Sequence, residues 1–96
     1  MRMLLTAQMD TETANRAAAD GTMSKMIEEI VERLKPEAAY FTVQNGQRGC
    51  LMVFDMQDSA RMPPLLEPLF QAGSRIDLRP VMNLDDLRAG LGGMER

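Results

Sequence analysis

Four side chains have the chemistry to hold a small organic ligand. The phenol of Tyr40 and the guanidinium of Arg48 stand on either side of the turn at residues 45–46. Such groups can bind and polarise a carboxylate or a carbonyl. The carboxamide of Gln8 and the flexible thioether of Met52 complete the predicted ligand-binding set. The alternative is that Tyr40 packs at a protein interface and Arg48 is solvated beside the turn.

The composition excludes several kinds of chemistry. There is no histidine, so a Ser-His or Cys-His catalytic unit and a His-ligated metal or haem site cannot be built. The chain has no glycine-rich phosphate loop before a helix. Its single cysteine, Cys50, lies among apolar residues and is predicted to be a buried structural side chain. We predict no metal site and no cofactor, and we assign no catalytic residue.

Length and charge bound the class of protein. The chain of 96 residues is predicted to be a single domain, residues 1–96, with 45% hydrophobic residues and a net charge of −3. Its scattered basic residues and its lack of tryptophan argue against nucleic acid as a partner. No apolar run approaches the length of a membrane span, so no membrane partner is expected. One cysteine fits a reducing compartment, which predicts a cytoplasmic location.

Hydrophobic periodicity predicts the order βαββαβ followed by a short helix. The first helical region changes phase at residues 20–22, where Gly21 is expected to end one helix with a positive φ. Pro80 places the last strand at a sheet edge. The predicted strands are 2–9, 38–44, 48–56 and 75–82, and the predicted helices are 11–19, 23–35, 58–73 and a closing helix from residue 84.

The hairpin around residues 45–46 carries apolar side chains on both of its faces. Asn-Gly suits a two-residue type I′ turn or a turn with a glycine bulge, and the two differ by one residue of register. We favour the bulged turn because it collects Phe41, Val43, Leu51 and Val53 on one face, toward the helices. The other face then holds Tyr40, Thr42, Cys50, Met52 and Phe54, with Met56 and Met82 nearby.

The predicted fold class is α+β: a ferredoxin-like, four-stranded antiparallel sheet with helices on one face and a short C-terminal helix. The other sheet face would be bare in a monomer, and large apolar patches usually mark an interface. The segments "LKPEAAYFTVQNGQR", "VFDMQDSARMP" and "PVMNLDDLRAGL" resemble those of a small bacterial subgroup of the dimeric α/β-barrel superfamily. The resemblance implies a homodimer, joined through the sheet faces, with a cavity between the two sheets.

Two functional hypotheses follow. The first is a protein that binds a small apolar or acidic molecule between the subunits without catalysis, and the absence of the usual catalytic residues favours it. The second is a cofactor-independent enzyme, similar to an isomerase or a monooxygenase, acting on a small organic substrate. In that enzyme Tyr40 and Arg48 would polarise the substrate, and Asp77 would be the base.

Overall fold

The structure is a computed structural model that describes residues 1–94. The strands are β1 (Arg2–Gln8), β2 (Ala38–Gln44), β3 (Gln47–Asp55) and β4 (Arg75–Pro80). The helices are α1 (Thr11–Asp20), α2 (Met23–Leu34), α3 (Met62–Gln71) and α4 (Leu84–Met94), with a 3₁₀ turn at Ser59–Arg61 before α3.

The four strands form one antiparallel sheet in the order β2-β3-β1-β4. This order, with a helical connection after β1 and another after β3, is the ferredoxin-like arrangement, and it confirms the predicted α+β class. Pro80 ends β4 at the edge of the sheet, where its missing N–H costs no ladder hydrogen bond.

The first helical region divides where the sequence predicts. The carboxylate of Asp10 accepts a hydrogen bond from the Thr13 backbone N–H (3.0 Å) and caps α1. Gly21 ends α1 in the left-handed region, with φ 81°. This break lets α1 turn Ala14 and Ala17 into the protein while α2 presents a different apolar stripe. The predicted helix end and its positive φ are confirmed.

The core lies between the sheet and the helices. On β1 the side chains alternate strictly, so that Met3, Leu5 and Ala7 are buried while the residues between them are only half-buried. Leu5 pairs with Met52 of β3, and Met52 is 1% exposed. The same cluster contains Phe54 of β3 and the leucines of α2 and α3 that face the sheet: Leu34, Leu65, Leu66 and Leu69.

The predicted hairpin register is wrong by one residue. Gln44 pairs with Gln47, which leaves a two-residue turn in which Asn45 and Gly46 have φ of 51° and 77°. Two positive φ values are those of the type I′ turn, whose twist matches that of the strands. The bulged turn was favoured on hydrophobicity, but both faces of β3 are apolar, so that criterion could not decide between the two registers.

The shift exchanges the two faces of β3. Cys50, Met52 and Phe54 face the helices, whereas Leu51 and Val53 lie on the other face. Met52 was expected to face a partner sheet and instead lies in the core with Met56.

One end of the molecule projects. The residues of α4 are all exposed, including the apolar side chains of Leu84, Leu87, Leu91 and Met94. Asn83 and Asp86 cap the helix reciprocally: the Asp86 N–H donates to Asn83 Oδ1 (2.8 Å) and the Asn83 N–H to Asp86 Oδ2 (3.1 Å). We call α4 the C-terminal arm. It contributes to a radius of gyration of 15.7 Å, against about 12 to 13 Å for a compact chain of this length.

Candidate functional site

The four predicted ligand-binding residues are divided between the two faces of the sheet. We call the face that the helices leave uncovered the open face. Gln8 and Tyr40 lie on it, as predicted. Gln8 is opposite Gly49 and Tyr40 is opposite Leu51, and these two β3 residues lie on the same face as Val53. Arg48 and Met52 are each two residues from Cys50 along β3, so all three side chains lie on the helix side. The sheet thus separates Tyr40 from Arg48.

Arg48 has a structural partner on the helix side. Its Nη1 donates a hydrogen bond to Oδ1 of Asn15 on α1, at 2.8 Å. Tyr40 is 69% exposed on the opposite face. The polarising pair that the enzyme hypothesis requires is therefore not brought together. Its proposed base, Asp77, forms an ion pair with Arg79 on the same strand.

The open face has an apolar centre. Leu4 of β1 lies beside Val53 of β3, and Tyr40 of β2 lies beside Leu51. Leu4, Leu51 and Val53 are only half-buried, because the helices that follow β1 and β3 lie on the other face of the sheet. Charged and amide side chains surround this centre on all four strands: Arg2, Gln8, Gln44, Gln47, Asp55, Arg75, Asp77 and Arg79.

Two carboxamides on the open face have buried oxygens without partners. Neither Oε1 of Gln8 nor Oε1 of Gln44 has a hydrogen-bond partner among residues 1–94. Gln8 is directly opposite Gly49 in the register, and Oε1 of Gln44 lies 2.9 Å from where a Cβ on Gly49 would stand. Buried acceptors are usually satisfied, so these two oxygens are available to accept hydrogen bonds from water or from another molecule.

A cavity of about 130 Å³ lies on the other side of the sheet, beneath α2 and α3. Its wall is almost wholly apolar, and Glu29 and Arg33 stand among its lining residues as the charged members. The apolar residues of the wall include Met26 and Ile30 of α2, Leu69 of α3, Phe41 of β2, and Cys50 and Met52 of β3. A dry apolar cavity of about 150 Å³ is known to admit benzene.

Cys50 is part of this wall and is not activated there. Burial raises the pKa of its thiol, because the charged thiolate is poorly solvated among apolar groups. At neutral pH the side chain is therefore a thiol that packs as a small apolar group. This environment matches the structural role expected for Cys50.

Metal and membrane sites can be assessed over residues 1–94. In that range no three cysteine or acidic side chains are grouped closely enough to hold a metal ion. None of the described helices has the length and apolar character needed to cross a membrane.

Comparisons with known proteins show a likeness in structure but none in sequence. No family model matches the chain, and no curated protein sequence matches it. The crystal structure of MupZ from Pseudomonas fluorescens is similar, with a TM-score of 0.44 and 16% identity, over 98% of this chain and 83% of that one. The assignment of the fold rests on the strand order and register described above.

Two features of the site escape sequence reasoning. Gln44 lies at a strand end beside a turn, a position typical of solvated residues, and only the type I′ register carries it over Gly49. The helix-side cavity results from how α2 and α3 pack on the sheet, which periodicity does not determine. The apolar pattern of β1 was the available signal. Met3, Leu5 and Ala7 mark its helix side, and pairing β1 with β3 then shows which β3 residues share that side.

Proposed function

We propose that the chain is a homodimeric, non-catalytic binding protein for a small organic molecule. The apolar cavity of about 130 Å³ carries this proposal. Its size suits one small ring, and its wall of methionine, isoleucine and leucine side chains suits a neutral apolar ligand. The single cysteine of the chain supports a cytoplasmic setting.

The open face supports the homodimer. Leu4, Leu51, Val53 and Tyr40 form an apolar centre surrounded by charged and amide groups, which is the anatomy of a protein interface. A second copy is the partner that brings a face of the same shape and composition. Two such faces packed together form the dimeric α/β barrel that the sequence resembles.

A second location for the ligand is the space between the two open faces. The unpartnered oxygens of Gln8 and Gln44 favour it, since each accepts a hydrogen bond from a ligand N–H or O–H. Tyr40 lies on the same face and contributes a ring for packing. A ligand held there carries donors, whereas a ligand in the helix-side cavity needs none.

Binding is tested by thermal shift and by NMR of the methionine methyl groups. Benzene, toluene and phenol are titrated into the wild-type protein, and product analysis after long incubation checks for turnover. We expect benzene and toluene to raise the Tm and to shift the signals of Met26 and Met52, with no product formed. If none of the compounds raises the Tm or shifts a methyl signal, the proposed function is wrong.

Two variants locate the ligand. Ala72 lines the helix-side cavity, so Ala72→Leu fills it and should abolish the effect of toluene. The matched control is Ala60→Leu, at an exposed position in the 3₁₀ turn. Gln44→Leu should leave toluene binding unchanged and weaken phenol only if phenol binds between the sheets. Loss of toluene binding in Gln44→Leu, with binding retained in Ala72→Leu, would place the site on the open face.

A further inference from the structure

The side chains of the open face form rows that cross all four strands. Residues opposite one another in the register lie at the same level along the strands and on the same face of the sheet. Thr6 of β1 is opposite Leu51 of β3 and also opposite Asp77 of β4. Leu51 is in turn opposite Tyr40 of β2. We call these four residues the central row, which runs from Tyr40 at one edge of the sheet to Asp77 at the other.

The two ends of the central row carry complementary polar groups that cannot meet within one chain. Tyr40 is 69% exposed, and the side chain of Asp77 is 58% exposed. Strands β3 and β1 lie between them, so their backbones are about 14 Å apart. Asp77 forms an ion pair with Arg79, but a carboxylate has enough acceptor sites for a phenol as well. Each end of the row therefore carries a group whose counterpart lies at the far edge of the sheet.

We propose that the open faces of two copies of the chain meet about a twofold axis parallel to the strands, so that Tyr40 of each subunit donates a hydrogen bond to the partner's Asp77. This inference rests on the proposed homodimer and specifies its symmetry axis and its contacts. Such an axis keeps every residue at its own level along the strands, so each row meets the same row of the partner in reverse order. With the axis over the middle of the sheet, β2 of one subunit faces β4 of the other. The central row then brings Tyr40 and Asp77 together at both edges of the pair.

The spacing of packed sheets and the neighbouring rows fit this arrangement. Facing sheets pack about 10 Å apart, a gap that a tyrosine and an aspartate side chain span from opposite sides. In the row next to the central one, Leu4 is opposite Val53 in the register, so in the pair it faces the partner's Val53. At the end of the sheet Arg2 is opposite Asp55, so it faces the partner's Asp55. Apolar side chains thus meet at the centre of the interface, and opposite charges meet at one end.

The rows also distinguish between the possible symmetry axes. An axis that runs across the strands lays β2 on the partner's β2 and β4 on the partner's β4. In that pair Tyr40 and Asp77 remain at opposite edges, so neither group meets its counterpart. A twofold interface must be complementary to itself, and the open face meets this condition about the axis parallel to the strands.

The first test measures dimer dissociation by sedimentation velocity over a concentration series. Tyr40→Asp sets two carboxylates against each other at both edges of the pair and should weaken the dimer by at least about tenfold. Adding Asp77→Tyr in the same chain reverses the direction of the contact and should restore most of the lost affinity. Val43→Asp, at a position 73% exposed on the helix side of the same strand, is the matched control and should leave the dissociation constant unchanged. Circular dichroism of each variant checks that the sheet is intact.

The second test is chemical cross-linking between subunits in a Cys50→Ala background. A chain with Tyr40→Cys is co-expressed with a chain of different mass that carries Asp77→Cys. The purified protein is treated with a bismaleimide whose span of about 10 Å matches the spacing of facing sheets. We expect a cross-linked heterodimer. Asp77→Cys chains that cross-link to each other would overturn the inference, because the two copies of this position lie at opposite edges of the proposed pair.

The outcomes separate this inference from the proposed homodimer. A wild-type chain that is monomeric at all concentrations removes both. A wild-type dimer that Tyr40→Asp leaves unchanged, or that Asp77→Tyr fails to restore although the sheet is intact, removes the contact between Tyr40 and Asp77 and leaves the homodimer standing. Restoration by Asp77→Tyr together with the cross-linked heterodimer supports both the contact and the axis.

Discussion

The backbone conformation of Gly21 separates α1 from α2. Its φ of 81° is costly for a residue with a Cβ, although no atom within 4 Å would obstruct one. Gly21→Ala should therefore lower the free energy of unfolding by about 1 kcal/mol through backbone strain alone. Urea denaturation followed by circular dichroism measures the change.

The control for Gly21 is a glycine inside a helix. Gly92 lies in the C-terminal arm, has no positive φ, and has open space where a Cβ would stand. Gly92→Ala should therefore have the opposite sign and increase helix content, since alanine is the better helix former. A stabilising Gly21→Ala would show that α1 and α2 form one continuous helix.

Asp10 couples the start of α1 to pH. Hydrogen bonds from the Thr13 backbone N–H and then from the Thr13 hydroxyl lower the pKa of the Asp10 carboxyl from its ordinary value of 3.8. A lowered folded-state pKa means that the cap stabilises fully above 3.8 and loses its effect as pH falls through the lower folded value. The Tm difference between wild type and Asp10→Ala should be largest at neutral pH and shrink in acid.

Asp10→Asn separates the cap from its charge. Asparagine caps a helix about as well as aspartate but does not titrate. Thermal unfolding of the three proteins from neutral pH to well below 3.8 is the measurement. A gap between wild type and Asp10→Ala that stays constant across this range would mean that the carboxylate has no part in the cap.

A side chain of α2 supplies a hydrogen bond that α3 cannot make within itself. Pro68 lies inside α3 and has no N–H for the carbonyl of Pro64, four residues earlier. Nη1 of Arg33 on α2 donates to that carbonyl at 3.2 Å. A proline inside a helix kinks it or leaves a carbonyl without its donor. Here the carbonyl of Pro64 is left, and the side chain of Arg33 satisfies it.

A double-mutant cycle tests this contact. Arg33→Ala should lower the free energy of unfolding by about 1 kcal/mol, because a backbone acceptor loses its donor. In a Pro68→Ala background the helix supplies its own N–H, so the same change should cost less. Equal costs in the two backgrounds would show that Arg33 contributes to stability by some other contact.

How much of the fold the sequence predicts depends on how one-sided each element is. On β1, Met3, Leu5 and Ala7 alternate with Arg2, Leu4, Thr6 and Gln8, of which only Leu4 is apolar, so its helix side can be read directly. On β3, Leu51 and Val53 are as apolar as Met52 and Phe54, so the pattern alone leaves two registers open. The turn decides, because Asn45 and Gly46 both adopt positive φ.

The ambiguous pattern of β3 also affects the prediction of the candidate site. Gln8 lies on a strand of unambiguous pattern, and its predicted place on the open face is confirmed by the register. The bulged register puts Arg48 and Met52 on the open face, whereas the observed type I′ register puts both on the helix side. Cavities and orphaned carboxamide oxygens depend on packing distances, which sequence periodicity does not contain.

The proposed homodimer requires that the open face receives a second copy while the helix side forms the core of each subunit. Met52 and Val53 are neighbours on β3 that probe the two sides. Met52 is 1% exposed among the core leucines, whereas Val53 lies beside Leu4 on the open face. A buried unpaired charge costs several kcal/mol, which rivals the whole stability of a small domain.

Sedimentation velocity with circular dichroism on Val53→Asp and Met52→Asp is the most direct test. We predict that Met52→Asp unfolds the subunit, because its charge has no route to water within the fold. Val53→Asp should give a folded monomer at micromolar concentration, since separating the subunits exposes the new charge. A Val53→Asp protein that remains a stable dimer, or that unfolds while Met52→Asp stays folded, would show that the open face is not the dimer interface.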